Sequence, residues 1–252
     1  MRVGVEHYRR SLPRCMGALY WQLNDCWPVA SWSSLEFTGH WKALHHLARR
    51  FFAPAVVSAH VPGEEQTITN NYRRTSVREV HLYTVCDAPQ AARGLLRWQL
   101  CHFDGRVFSG GRKPVVLRPG ESVRQKTLDL AKPMARHGRD NLYLRISLKI
   151  AGARVGEDTV FLAPPRFLAL PKAKTTVTIK LRSPRSAALT FASPVFQHRF
   201  AFALPGLAHR CSDNYFELYP GEKKTVEVEF VRSLSAARIK RSLTFRSLVD
   251  TY

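Results

Sequence analysis

The sequence predicts a mainly β fold, with two immunoglobulin-like β-sandwiches preceded by a single strand-loop-helix unit. Three observations carry that expectation. From residue 56 onward, short alternating or β-branched segments recur between turn residues, the texture of a sandwich. Residues 163–174 contain Pro164, Pro165 and Pro171, a stiff connector that divides those segments into two blocks. Residues 16–51 instead join one continuous apolar run to one stretch with helical spacing. The expected divisions are residues 1–54, 55–164 and 165–252.

Bulk composition supports folding and narrows the function classes. A chain of 252 residues can bury well over half of its unfolded surface, and an aromatic content of 11% with 45% hydrophobic residues excludes a disordered chain. The 39 Lys and Arg against 19 Asp and Glu give a formal charge of +20, which raises polyanionic partners. These cations are spread from Arg9 to Arg246 in ones and twos, without a run or a helical stripe. A solvated, arginine-rich surface is therefore expected, and nucleic-acid binding is not.

Cys15, Cys26, Cys86, Cys101 and Cys211 form no CxxC pair and no zinc-spaced cluster, so reduced, mostly buried thiols and no metal are expected. No stretch reaches the roughly 18 apolar residues of a membrane helix. The N-terminal residues lack the apolar core and cleavage site of a signal peptide and read as the interior of a domain. The natural chain is thus expected to extend upstream, which leaves the compartment open.

Taken in order, residues 16–23 read as a strand buried on both faces that delivers Asn24 and Asp25 at its C-terminal end. After a Trp- and Ser-rich loop, Gly39 precedes a helix in which Trp41, Leu44, Leu47, Ala48 and Phe51 share a face; Arg49 and Arg50 suit its C-terminal dipole, and Pro54 stops it. One such unit needs neighbouring strands to be a domain. Strands are then expected at 66–70, 77–85, 95–103, 123–130 and 142–150, with turns at Pro62-Gly63, Asp104-Gly105, Gly110-Gly111 and Pro119-Gly120. The second block offers 175–181, 187–192, 199–203, 215–219, 225–230 and 243–249, with a turn at Pro220-Gly221.

The run Gly17-Ala18-Leu19-Tyr20-Trp21-Gln22-Leu23-Asn24-Asp25-Cys26-Trp27-Pro28, followed by Ser31-Trp32-Ser33-Ser34 and Trp41-Lys42-Ala43-Leu44-His45, closely resembles the eighth strand, loop and helix of the (β/α)8 TIM barrel in glycoside hydrolase family 2 β-mannosidases. Gly4-Val5-Glu6-His7-Tyr8-Arg9-Arg10 resembles the helix leading into that strand, and Ser212-Asp213-Asn214-Tyr215-Phe216 and Ser247-Leu248-Val249-Asp250 resemble the family's C-terminal domain. The resemblance covers essentially the whole chain. It implies the last unit of a catalytic barrel plus two immunoglobulin-like domains, and an enzyme that removes terminal β-linked mannose with retention. The implied partners are a β-mannoside oligosaccharide and upstream barrel domains, with no cofactor.

A retaining mechanism needs an acid/base carboxyl and a nucleophilic one about 5 to 5.5 Å apart. The resemblance places both glutamates on earlier barrel strands, so no catalytic residue is expected here and the chain alone is expected to be inactive. Glu6 and Glu36 read as surface carboxylates, and His45, His46, His81 and His102 have no nucleophile motif beside them.

Barrel sites form at the C-terminal ends of strands, where Trp21, Asn24, Asp25 and Trp27 fall. An indole can stack on the C–H face of a pyranose while Asn and Asp bond its hydroxyls; by the resemblance, Trp21 matches the aromatic under the mannose. The residues alone also allow Trp21 to be core, Asn24 and Asp25 to cap the loop, and Trp27, Trp32 and Trp41 to pack between barrel and sandwich, with Trp98 in a sandwich core. A non-catalytic carbohydrate-binding or protein-interaction module is the alternative.

Overall fold

The computed structural model describes residues 1–62 and 77–252, so the strand expected at 66–70 and the second half of the Pro62-Gly63 turn lie outside the described residues. The fold is mainly β. The chain forms two compact units, Met1–Cys101 with Val107–Leu168, and His102–Arg106 with Ala169–Tyr252. No helix among the described residues is long and apolar enough to cross a membrane.

The first unit opens with helices α1 (Arg2–Arg10) and α2 (Ala43–Phe51), followed by strands β1 (Ala55–His60), β2 (Glu79–Cys86), β3 (Ala92–His102), β4 (Val107–Leu117) and β5 (Glu121–Asp129). A short helix α3 (Ala131–His137) then leads to β6 (Leu142–Ile150) and β7 (Ala153–Phe161). One sheet has the order β1-β2-β5 and the other β4-β3-β6-β7, with β1–β2, β2–β5, β3–β4 and β6–β7 paired antiparallel.

Alternation fixes which residues meet between the sheets, because successive side chains of a strand point to opposite faces. Along β6, Leu142, Leu144, Ile146 and Leu148 point inward and are fully buried. They meet Leu96 and Leu100 of β3 and Val80 and Leu82 of β2 in one apolar cluster. Trp98 packs against this cluster half-buried, on the inward-facing series of β3.

Gly110 and Gly111 are expected as a turn, but both lie inside β4, opposite Gln99 and Trp98. The Trp98 ring explains Gly111: a Cβ there would stand 2.4 Å from the indole, so the absent side chain makes room for the ring.

Helix α1 is tied to the sandwich by cations. Arg9 donates to the Phe51 carbonyl at the end of α2 (2.6 Å) and to Asp87 (2.6 Å). Arg2 bonds Glu6 (2.7 Å) and Asp158, while Arg10 donates to Ser58 at 3.2 Å. Glu6 is therefore a buried, ion-paired residue and not the surface carboxylate expected. Burial, then the charge of Asp158, push its carboxyl upward, while Arg2 opposes them.

The greatest departure lies at residues 16–23. No strand forms there; the backbone makes isolated bridges of Asn24 to Leu35 and Leu35 to Trp41. Leu19 is 99% exposed, and Met16 and Leu23 are also open to solvent. A strand needs a ladder of bonds along its edge, and here, among the described residues, backbone bonds reach only Gln22 and Leu23, whose carbonyls accept from Ser34 and Leu35. The helix expected after Gly39 is present as α2, with Phe51 and Ala48 buried against Val5 of α1.

The second unit pairs β8 (Thr176–Ser183), β9 (Ser186–Ala192), β11 (His209–Cys211) and β13 (Lys223–Phe230) in the order β11-β13-β9-β8. Its other sheet has β10 (Gln197–Ala203) between β12 (Phe216–Leu218) and β14 (Thr244–Arg246). Phe191 sits at the centre, with ring centroids 5.1 Å from Phe200, 5.4 Å from Phe202 and 6.1 Å from Phe216.

Two sequence signatures have structural roles in this unit. Asn214 accepts the Phe202 amide (3.1 Å) and donates to the Phe202 carbonyl (2.9 Å), standing in for a neighbouring strand. Ser247 and Asp250 form a capping box that turns the chain into a short 3-10 helix at Leu248–Thr251. The strand expected over 243–249 therefore stops at Arg246.

Helix α4 (Ala236–Ser242) was not expected; it is two turns long, is capped by Ser235, and inserts Ile239 into the core. All five cysteines are thiols outside any disulfide, and of them Cys86 and Cys101 are buried, fewer than expected.

Two outcomes follow from these contacts. Gly111→Ala should destabilise the first unit by about 1 to 3 kcal/mol in denaturant unfolding, because the new methyl overlaps the Trp98 ring. Gly17→Ala, with nothing within 4 Å of its added carbon, should be near neutral.

The second concerns Glu217, whose carboxylate lies 2.9 Å from His198 and accepts the Arg199 amide at 3.1 Å. Burial works to raise its pKa, but the charge and hydrogen bond of His198, aided by Arg199, hold it down to about 2 from the ordinary 4.5. A carboxyl depressed on folding stabilises the native state fully above the unfolded value and progressively less below it. The second unit should thus lose about 3 kcal/mol through this group between pH 4.5 and 2. Glu217→Gln should remove that part of the acid sensitivity in unfolding titrations, and an unchanged pH profile would show that the pair contributes nothing.

Candidate functional site

The segment between Tyr20 and Lys42 is a loop closed by its own hydrogen bonds. The Asp25 amide donates to the Leu35 carbonyl (3.0 Å), the Leu35 amide to Leu23 (2.9 Å), and the Lys42 amide to Ser34 (2.9 Å). These bonds clamp both ends of the loop against the start of α2.

Asp25 is the loop's electrostatic centre. Its carboxylate is buried, accepts a hydrogen bond from Ser31, and lies 2.9 Å from the Lys42 ammonium. Lys42 also donates to Ser33 Oγ at 2.8 Å. The Ser31 hydroxyl first, and Lys42 second, hold the Asp25 carboxyl below the usual carboxylate range.

A second cluster sits beside it. Tyr20 donates to Ser34 Oγ (3.0 Å), Ser34 donates to the Leu23 carbonyl (2.9 Å), and His45 Nδ1 lies 3.2 Å from the same hydroxyl. Burial pushes the His45 imidazole below its ordinary pKa.

These inward polar contacts leave the loop's aromatic side chains outside. Trp21 is 73% exposed, Trp27 64% and Trp32 67%. The expectation for Trp27, Trp32 and Trp41 is packing between barrel and sandwich; in this chain the first two are exposed, and Trp41 lies against His45 and His46, with centroids at 4.5 and 5.4 Å.

Asn24 is exposed, and its amide donates to the Asp25 carbonyl at 3.2 Å. The arrangement therefore separates the four candidates, with Trp21, Asn24 and Trp27 outward and Asp25 inward. Chemically, it offers flat apolar faces and an amide, the groups that suit an uncharged sugar. Glu36 is exposed near Thr38 and His40. Among the described residues no group of three or more His, Cys, Asp or Glu side chains gathers to hold a metal ion.

The family model for a mannosidase Ig/CBM-like domain matches residues 78–166, and that for an Ig-fold domain matches residues 169–251. The β-mannosidase of Capra hircus is 31% identical over 268 residues, spanning 100% of this chain and 28% of the goat protein. The chain belongs to the β-mannosidase family and corresponds to its C-terminal part.

Other β-mannosidases agree. β-Mannosidase A of Aspergillus niger is 27% identical over 271 residues, covering 98% of this chain and 27% of the fungal protein. The Mus musculus β-mannosidase reaches 72% identity over 39 residues, 16% of this chain. The chain thus spans under a third of the length of the goat and fungal relatives.

Solved structures share the fold. The β-D-mannosidase of Dictyoglomus thermophilum superposes with a TM-score of 0.78 at 20% identity, over 98% of this chain and 28% of that one. An exo-chitosanase of Amycolatopsis orientalis gives 0.65 at 14% identity, over 98% and 32%.

Within this β-mannosidase segment, the residues that shape the loop include several to which sequence reasoning gave no role, namely Ser31, Ser33, Ser34 and Lys42. A signal existed, since Lys42 is the opposite charge available to Asp25 across a serine-rich loop. Nothing in residue spacing states that they meet.

Asp25→Asn should loosen the loop by leaving the Lys42 ammonium without its carboxylate. Limited proteolysis should cut residues 24–35 several-fold faster in the variant, while the second unit resists as before. Equal cleavage in both would show that the backbone bonds alone hold the loop.

Proposed function

We propose that this chain is the part of a β-mannosidase that lines one side of the sugar pocket and supports it with two β-sandwiches. The match of the whole chain to the C-terminal part of β-mannosidases carries the reading. In it, residues 1–54 belong with a catalytic barrel, 55–164 form the mannosidase Ig-like domain and 165–252 the C-terminal one.

The reaction is hydrolysis of terminal, non-reducing β-D-mannose from β-mannosides with retention. It needs two carboxyl groups and neither cofactor nor metal. The two glutamates are supplied by the part of the relatives that this chain does not match. Trp21, Asn24, Asp25 and Trp27 are the substrate-binding set: Trp21 stacks under the mannose, Asn24 and Trp27 border it, and Asp25 acts by holding the loop. The outward rings and the inward carboxylate support that division of labour. The partners are a β-mannoside oligosaccharide and the barrel domains.

The mannosidase Ig/CBM-like match over 78–166 favours one further reading, a sandwich that binds carbohydrate without cleaving it. Mannobiose binding by the whole chain that survives Trp21→Ala would favour that reading.

The main proposal predicts no turnover of a chromogenic β-mannoside by this chain, and turnover by the pure chain would overturn the assignment of both glutamates elsewhere. A chimera carrying the goat enzyme's remaining sequence joined to this chain should hydrolyse the substrate. Trp21→Ala in the chimera should lower kcat/KM by about tenfold or more, the loss of one aromatic stacking contact. A folded chimera that is inactive, or indifferent to Trp21, would refute the pocket role.

A further inference from the structure

We propose that the outer face of the β4-β3-β6-β7 sheet is a docking surface for a sulfated polysaccharide. The inward series of β3 is Leu96, Trp98 and Leu100, so Arg93 and Arg97 stand on the opposite, solvent-facing side. Register places Arg112 of β4 directly across from Arg97. Arg145 and Lys149 of β6 lie on the same face, with Arg154 of β7 paired to Lys149. Six cations therefore share one sheet face.

Among the described residues, Glu157 is the carboxylate seen paired with them. Glu157 lies 2.6 Å from Arg145 and 3.0 Å from Arg154. Arg93, Arg97 and Arg112 are exposed and have no carboxylate partner among the described residues. Directly opposed residues on an antiparallel pair bring their Cβ atoms to about 5 Å, and like charges there are destabilising. An anion between Arg97 and Arg112 turns that repulsion into attraction, and planar guanidinium forks suit the oxygens of a sulfate ester.

The shape and the rings of the face select the class of polyanion. Gly110 and Gln99 flank the Arg97–Arg112 pair and Pro114 follows it, short or neutral neighbours that suit an extended chain lying across the strands. Surfaces that hold single-stranded nucleic acid add exposed aromatic rings on which bases stack. The ring positions of this face, Tyr143 and Phe161, are buried and half-buried. The surface therefore presents charge without a stacking platform. It shares no residue with the sugar pocket proposed above, so either proposal can fail without the other.

The test uses the whole chain and heparin as the probe. Affinity for heparin is measured by calorimetry in moderate salt for the parent chain, for Arg97→Ser/Arg112→Ser, and for Arg210→Ser/Arg238→Ser as a control of equal charge. The site variant should bind on the order of tenfold more weakly, the loss of two exposed ion pairs, while the control binds like the parent. The site variant's melting temperature in low salt without heparin should be equal or higher, since a like-charge pair is removed; a lower one would mark the arginines as structural and overturn the proposal. Equal weakening in both variants would also overturn it, by reducing heparin binding to net charge. Tighter binding of a duplex oligonucleotide than of heparin, through the same two arginines, would overturn the assigned partner.

Discussion

The first unit depends on one buried cation. The Arg9 guanidinium reaches from α1 to the last carbonyl of α2 and to Asp87 at the edge of the sandwich, so three separate pieces of chain meet at one side chain. A helix C-terminus leaves carbonyls without intrahelical partners, and a cation there is doubly suited, as donor and as charge. Removing it would leave the Phe51 carbonyl unpaired beside a buried apolar contact of Phe51, Ala48 and Val5. The helices thus keep a defined place on the sandwich although α1 and α2 are short. Arg2 and Arg10 extend the same logic along α1, each trading a charged head for a bond to the sandwich.

That anchoring explains how a loop rich in tryptophan holds one shape without burying its rings. The Asp25–Lys42 pair and the serine hydroxyls satisfy the polar groups inside the loop, and the rings remain outside. Exposed apolar area of this kind marks a surface with a partner. In the functional reading the partner is a sugar and the neighbouring barrel. On the far sheet the chemistry is reversed: exposed arginines facing each other call for an anion. In the two proposals the faces answer to different ligands.

How much of this was legible in the sequence depends on how far the deciding contact reaches. Helix α2 could be read from Leu44, Leu47 and Phe51, because its signal lies within one turn. Strands β6 and β13 could be read from alternation for the same reason. Gly110-Gly111 was misread as a turn, since two glycines look alike whether they bend a chain or admit the Trp98 ring from the next strand. The 16–23 run was misread because its residue types do suit a buried strand, while strand formation requires an edge to pair with. Helices α3 and α4 escaped notice since seven residues give too few periods to reveal a face.

By itself, the amino-acid sequence determined the class of fold, the two β blocks and the family, because alternation, turn residues and a long tryptophan-rich string are properties of neighbouring positions. It also singled out Trp21, Asn24, Asp25 and Trp27, although it set Trp21 in a strand that does not form. Tertiary structure alone decided that Asp25 turns inward to Lys42 while the tryptophans turn outward, that Glu6 is buried with Arg2, and that Arg97 confronts Arg112. The physical reason is common to all three. Burial and charge pairing are set by which distant segments come within a few ångströms, and strand register and helix docking fix that only when the chain folds.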